Sequence, residues 1–196
     1  NLAMQEERNS LLRRLQLQFK NMPVGFLLTD ENLNVVDWNP AAEKIFGYSR
    51  EEMIGKSEYG RIISMDQTQS VQNVIRHSIV HNQTVVSRNE NLHKDGRRII
   101  VEWHNTPLRD DSGILIAMMN MAVDVTEKVE AENKLRESEE KLRGFFESNL
   151  LGIIWASLDG KVYTANDAYL NLIGYTRQEL ESGAISWLKL TPKEFM

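Results

Sequence analysis

Asn39-Pro40-Ala41-Ala42-Glu43-Lys44-Ile45-Phe46-Gly47-Tyr48-Ser49-Arg50-Glu51-Glu52 occurs in this chain a second time, altered but in register, as Asn166-Asp167-Ala168-Tyr169-Leu170-Asn171-Leu172-Ile173-Gly174-Tyr175-Thr176-Arg177-Gln178-Glu179. The match extends to a gapless alignment of Gly25–Met53 with Gly152–Leu180. Gly25, Val35, Asn39, Ala41, Gly47, Tyr48, Arg50 and Glu52 recur as Gly152, Val162, Asn166, Ala168, Gly174, Tyr175, Arg177 and Glu179. Upstream, Leu15 and Phe19 recur as Leu142 and Phe146. The spacing between copies is too long for a solenoid unit, so the pattern reads as tandem globular domains. The second copy stops at Met196, about half-way through, so most functional inference rests on the first copy and the joint between the two.

Around the repeated segment the elements follow from local chemistry. Asn39 is a helix N-cap, and Pro40 suits the first helical position, where its missing donor is not needed. Ala42, Ile45 and Phe46 form an inner face, and Gly47 closes the helix in the left-handed region. Ser49-Arg50-Glu51-Glu52 starts a further short helix. Before it, Gly25–Thr29 and Asn34–Trp38 are apolar runs flanking the polar turn Asp30-Glu31-Asn32, a hairpin. After it, residues 66–81 form a longer helix with Val71, Val74, Ile75 and Ser78 along one side and Asn82 as its left-handed stop. Three strands follow, at 85–92, 98–106 and 114–123. Lys94-Asp95-Gly96 and Asp110-Asp111-Ser112-Gly113 are the turns between them. Two strands, small helices, then three strands predict an α+β domain: a five-stranded antiparallel sheet with helices on one face.

Two flanking helices complete the picture. Residues 2–20 contain no Gly or Pro, and Leu12, Leu15, Phe19 and Met22 mark one apolar stripe. Residues 126–145 carry a heptad-like seam through Ala131, Leu135, Ser138, Leu142 and Phe145, weakened by Ser138. The expected organisation is a helix at 1–20, a complete domain at 21–125, a connecting helix at 126–145, and the first half of a second domain at 146–196. In that second half-domain the strands at 153–155 and 162–163 lack their usual partners, leaving an edge open to pairing.

Composition narrows the function classes. The chain has 196 residues, 41% of them hydrophobic, which suits packed cores. A net charge of −5 argues against a nucleic-acid partner. The absence of cysteine excludes disulfides, thiolate nucleophiles and iron–sulfur clusters, and fits a reducing compartment, the cytoplasm. The longest apolar run, residues 114–122, is too short to span a bilayer, so no membrane contact is expected of this segment. A membrane anchor elsewhere in a longer parent protein stays open. The chain shows no Gly-rich phosphate loop after a strand and no catalytic constellation, so no catalysis is expected of it.

Asn39-Pro40-Ala41-Ala42, Phe46-Gly47-Tyr48-Ser49-Arg50-Glu51-Glu52, Lys94-Asp95-Gly96, Pro107-Leu108-Arg109-Asp110 and Asp124-Val125-Thr126-Glu127, in this order and spacing, resemble the PAS family of sensory domains. The resemblance covers residues 19–127 fully, and the second copy resembles the family's first half. It implies a homodimeric sensory module upstream of an output domain, as in sensor histidine kinases, cyclic-di-nucleotide enzymes or transcription regulators. It also implies a pocket between the sheet's inner face and the helices. Comparison with flavin-binding relatives turns Val101, Trp103, Asn105, Met118, Asn120 and Ala122 inward, together with Leu27, Thr29, Asn89 and Asn91, with Ile45 and Val74 facing them from the helices. Asp124, Thr126 and Glu127 stand at the family's junction into a signalling helix, which Leu135 and Leu142 continue. Met119, Met121 and Val123 then form an outer apolar patch, joined by Leu12, Leu15 and Phe19 as the expected dimer surface.

Three readings stay open on this basis: a ligand-binding input module, a ligand-free structural relay, and a haem-binding gas sensor. His77 and His81 stand at i and i+4, and in haem-binding relatives a His on or just after this helix is the ligand, which singles out His81. His93 and His104 add no convergent ligand. Without cysteine a covalent flavin adduct is excluded, and non-covalent flavin stays open. No cofactor is required by the sequence.

Overall fold

A computed structural model describes residues 2–148, 150–192 and 194. The chain divides into two compact units, residues 1–130 and 131–196, with the division inside one helix. Unit 1 runs α1 (Leu2–Lys20), β1 (Gly25–Thr29), β2 (Val35–Trp38), α2 (Pro40–Phe46), α3 (Arg50–Met53), α4 (Thr68–His81), β3 (Val85–Leu92), β4 (Arg98–Arg109) and β5 (Leu115–Asp124), then enters α5 (Thr126–Glu147). The five strands form one antiparallel sheet in the order β2-β1-β5-β4-β3. The chain's first strand therefore lies inside the sheet beside its last, which is central, with Gly25 opposite Ala122.

The caps form as the side chains dictate. Asn39 is fully buried, and its Oδ1 accepts from Ala42 N (2.8 Å) and from Phe26 N (2.8 Å), while its Nδ2 donates to Val24 O (3.0 Å). One amide thus starts α2 and fastens it to the entry of β1. Gly47 ends α2 at φ +78°, where a Cβ would also approach the His93 ring to 2.6 Å. Ser49 and Glu52 form a reciprocal capping box on α3. The indole of Trp38 donates to Tyr48 O (3.2 Å), so β2 is tied to the loop between the two helices.

Leu27, Val35, Trp38, Ala42, Phe46, Met53, Ile62, Ile99, Val101 and Trp103 form the core between the sheet's inner face and the helices. The rings of Trp38, Phe46 and Trp103 pack in series, the first pair tilted and the second stacked, with centroids 5.4 and 5.6 Å apart. On the outer face Phe19 of α1 packs edge-on against Phe26 (5.1 Å), which lies opposite Met121 in the sheet. Met119, Met121 and Val123 are half-buried there, whereas Leu12 and Leu15 are 50% and 52% exposed.

Element ends differ from the sequence expectation by one to three residues, as at β5 (Leu115–Asp124), α5 (Thr126–Glu147), β4 and α4. β4 continues past Thr106 through Pro107 to Arg109. A proline in a strand ordinarily reads as its end because it cannot donate. Here β3 pairs with β4 only as far as Asn105, so Pro107 needs no donor on that side, while β5 continues the pairing to Arg109. α4 starts at Thr68 rather than 66, and its N-cap residue Gln67 makes no side-chain cap bond.

Unit 2 continues α5 and adds β6 (Ile154–Ala156), β7 (Val162–Ala165), α6 (Asp167–Ile173), α7 (Arg177–Glu181) and α8 (Trp187–Leu190). The repeated caps reappear: Asn166 Oδ1 accepts from Tyr169 N (3.0 Å) and Ile153 N (2.9 Å), and Gly174 closes α6 at φ +75°. Thr176 and Glu179 form the second capping box. Val162, Ala165, Leu170, Leu180 and Ile185 make a small core of their own. Among the described residues β6 pairs only with β7.

Candidate functional site

The inner face of the sheet in unit 1 is covered by two different sets of helices, and that difference places the site. α2 lies against β1 and β5, and α4 lies against β3 and β4. Under α2 the packing is dense and apolar. Under α4 a cavity of about 20 Å³ remains, room for about one water molecule. Its walls are Ile63, Val71, Val74 and Ile75 on one side and Ser87, Asn89, Trp103, Asn105 and Asn120 on the sheet side, with Glu58 from the loop before α4.

Of the residues expected to line a pocket, Val74, Asn89, Trp103, Asn105 and Asn120 meet at this cavity. Leu27, Val101 and Ala122 belong instead to the solid core beneath α2, and Ile45 packs against it. Met118 and Thr29 are fully buried, and the Thr29 hydroxyl has no hydrogen-bond partner among the described residues. Asn91 has a bracing role: its Oδ1 accepts from the Trp103 indole (3.0 Å) and from Asn89 Nδ2 (3.1 Å), and its Nδ2 donates to Ile62 O (2.9 Å). Trp103 is thereby held at its indole nitrogen, 5% exposed, with Phe46 stacked on its face.

Glu58 was not legible as a site residue. In sequence it sits in a polar loop, where a carboxylate reads as solvated. The one available signal is its spacing from Ile62, a full turn away, and the structure does close that turn, Ile62 N donating to Glu58 O (3.1 Å). Both residues are then carried inward, leaving Glu58 8% exposed. Among the described residues its carboxyl has no hydrogen-bond partner, and burial pushes its pKa up to about 7. The neighbouring Tyr59 phenol is raised to about 12 by burial, with the Glu58 charge adding to it.

This acid makes unit 1 sensitive to pH. A folded-state pKa above the unfolded value means that the native state holds the proton more tightly. The associated stability is complete below about pH 4.5 and is lost as pH rises through about 7. The expected loss is about 3 kcal/mol. Urea unfolding of wild type and Glu58→Gln at pH 5 and pH 8 checks this: Gln should remove most of the difference. Equal pH slopes in the two proteins would show that Glu58 does not carry it.

The junction at the far end of the sheet is short and bonded. β5 ends at Asp124 and α5 begins at Thr126. Asp124 Oδ1 accepts from Thr126 N (2.9 Å) and Thr126 Oγ1 (2.5 Å). Thr126 Oγ1 in turn accepts from Ile100 N of β4 (2.8 Å), and Val125 N donates to Ile100 O (2.9 Å). Glu127 is exposed on the first turn of α5. Farther along, Leu135 and Leu142 are exposed on the same helix.

A cavity of this size admits neither haem nor flavin. His81 is exposed, its ring 4.3 Å from that of His77, and neither lines the cavity. Among the described residues no cluster of three or more His, Cys, Asp or Glu could hold a metal ion. No helix among them is long and apolar enough to cross a membrane.

A five-stranded sheet backed by helices, with a polar hollow on one side and a helix leaving its last strand, defines a sensory-domain architecture. The pattern of the PAS fold family matches residues 13–122, and that of a second PAS domain matches residues 150–195. The chain belongs to the PAS family, whose domains are sensory modules of signalling proteins. It is 27% identical over 157 residues to the biofilm dispersion protein BdlA of Pseudomonas aeruginosa, covering 78% of this chain and 36% of that protein. It is 47% identical over 49 residues to the hybrid signal transduction protein dokA of Dictyostelium discoideum, covering 25% of this chain and 3% of that protein. The chain thus spans little more than a third of the one relative's length and a small part of the other's. Among solved structures, an RNA-binding light-oxygen-voltage receptor superposes with a TM-score of 0.58 at 25% identity, over 66% of this chain and 37% of that one. The PAS domain of a Colwellia psychrerythraea protein superposes at 0.56 with 20% identity, over 60% and 98%. The latter likeness is one of fold.

Proposed function

We propose that unit 1 is the input module of a longer signalling protein. A small ligand occupies the cavity beneath α4, and its occupancy is passed along β4 and β5 to the first turn of α5. The observation that carries this reading is a buried, under-bonded polar cluster set on the two strands that hold α5. Asn120 of β5 faces the cavity four residues before Asp124, and Trp103 of β4 lies three residues beyond Ile100. With no free residue in the junction, a shift of either strand reaches the helix. The output, a kinase, a cyclic-di-nucleotide enzyme or a regulator, belongs to the parent protein in this proposal. A second copy of the chain is its partner, because Leu12, Leu15, Leu135 and Leu142 leave apolar side chains exposed along two helices.

Amide NMR of the whole chain during a small-molecule screen tests the reading. A binder should shift Asn120 and the Trp103 indole and carry the change to Val125 and Val129, in a particle whose scattering mass is that of a dimer. Shifts that stop at the cavity would remove the relay, a monomer would remove the partner, and the absence of any binder would leave a structural spacer.

A further inference from the structure

The stretch that carries α4 is fastened to the sheet at two points and unbonded to it between them. At the first point Ile62 O accepts from Leu92 N (2.8 Å) and from Asn91 Nδ2 (2.9 Å), both on β3. At the second, the end of α4 is tied several times over. Ser78 is fully buried, and its Oγ donates to Gln83 O (2.7 Å) and stands 3.1 Å from Asn105 O of β4. The Arg109 guanidinium donates to Ile79 O (2.8 Å), Asn82 Oδ1 (3.1 Å) and Gly113 O (2.8 Å), which joins α4 to the β4–β5 turn. Among the described residues, the hydrogen bonds of residues 64–77 stay inside this stretch or inside α4 itself, and Gln67 caps nothing.

Apolar packing alone therefore holds the first turns of α4 in place, and that packing is interrupted on two sides. Val71, Val74 and Ile75 face the cavity of about 20 Å³. A groove of about 340 Å³ runs along the helix, lined by Leu33, Gln72, Ile75, Arg76 and Ile79. Ile75 borders both spaces and is the partition between them. Side chains that face a void forfeit contacts on that side. The Glu58 carboxyl, on the cavity wall and without a hydrogen-bond partner among the described residues, regains water once the wall opens. Lifting the front of α4 thus costs less than lifting its anchored end, which places it among the segments that open locally.

We propose that α4 is a hinged cover: it pivots on Ser78–Asn82, and the outward travel of Ile75 joins the cavity to the groove beside Leu33. This rests on the ligand-binding reading above and gives that reading its entry route, because the closed cavity has room for about one water molecule. The opposite wall of the groove is fixed. Leu33 stands at φ +62°, a left-handed conformation that leucine seldom adopts, and its N–H donates to Asp30 O (3.0 Å). Asp30 Oδ1 accepts from Asn32 N (2.9 Å) and Asn34 N (2.8 Å) on either side of it.

The test uses the full chain. The sequence has no cysteine, so Asn120→Cys puts a single thiol on the sheet wall of the cavity, at a position 4% exposed. Iodoacetamide should label it at a rate that low urea leaves unchanged, because lifting the cover exposes little surface. Labelling that rises with urea in step with global unfolding would overturn the proposal. Adding Ile75→Ala should speed labelling roughly tenfold or more, and an unchanged rate would overturn Ile75 as the partition. In the unmodified chain, methyl relaxation dispersion should show microsecond-to-millisecond exchange at Val71, Val74 and Ile75 and none at Ile79. Arg109→Ala should extend that exchange to Ile79. Flat profiles throughout would overturn the cover, and exchange at Ile79 before Arg109 is changed would overturn the pivot. Should a variant fail to fold, the dispersion of the unmodified chain decides alone. None of these readouts needs a ligand. A cover that opens while a broad screen finds no binder removes the pocket reading and leaves the hinge, whereas a binder in a chain with flat dispersion does the reverse.

Discussion

Changing Trp103 to alanine is expected to destabilise unit 1 by about 3–5 kcal/mol, the range for removing a large buried aromatic. The side chain stacks on Phe46, which itself packs on Trp38, so its loss opens one end of a three-ring series. It also removes the indole donor to Asn91, the residue that braces β3 against Ile62. Trp103→Phe separates the two contributions. It keeps a ring on Phe46 and loses the hydrogen bond, for an expected cost of about 1 kcal/mol plus a smaller packing loss. Urea denaturation followed by near-ultraviolet circular dichroism measures both. A cost for Trp103→Ala no greater than that of Trp103→Phe would mean that the ring's contact with Phe46 adds nothing to stability.

Asn39→Ala is expected to cost about 3 kcal/mol, more than an ordinary exposed cap, because two backbone donors lose their acceptor inside the protein. Those donors are Phe26 N and Ala42 N, and the Val24 carbonyl also loses its partner. Asn166→Ala is the matched change in unit 2, where the same oxygen accepts from Ile153 N and Tyr169 N. The two variants should act on separate transitions, each lowering the stability of its own unit. If Asn39→Ala unfolds no more easily than wild type in denaturant, the buried amide is not what fastens α2 to β1.

These two asparagines also show why much of the fold was readable. The positions that recur between the copies are those where backbone geometry admits few side chains. Asn39 and Asn166 cap helices, and Gly47 and Gly174 occupy left-handed backbone. At Gly25 and Gly152 an added Cβ would press on Ile45 and on the Tyr169 backbone. The hairpin pairings β1–β2, β3–β4 and β4–β5 and the α+β class followed from turn chemistry, which is equally local, whereas the pairing of β1 with β5 did not. Alternation sorted the strand residues into two faces, and the resemblance to flavin-binding relatives said which face points inward. What alternation does not contain is which helix covers which part of the sheet, and that decides why Leu27, Val101 and Ala122 are solid core while Asn105 and Asn120 border a hollow. Glu58 lay furthest from view, because its burial comes from the folding-in of a loop around Ile62 and Ile63 and not from any periodicity of its own.

The position of β1 between β2 and β5 governs the order in which the sheet is assembled. Gly25 meets Ala122 across nearly the whole of unit 1, a pairing of high contact order that a growing polypeptide cannot make until its last strand has left the ribosome. The β1–β2 hairpin and its capped helices have no such wait. Unit 2 carries the same early set of elements around a small core of its own.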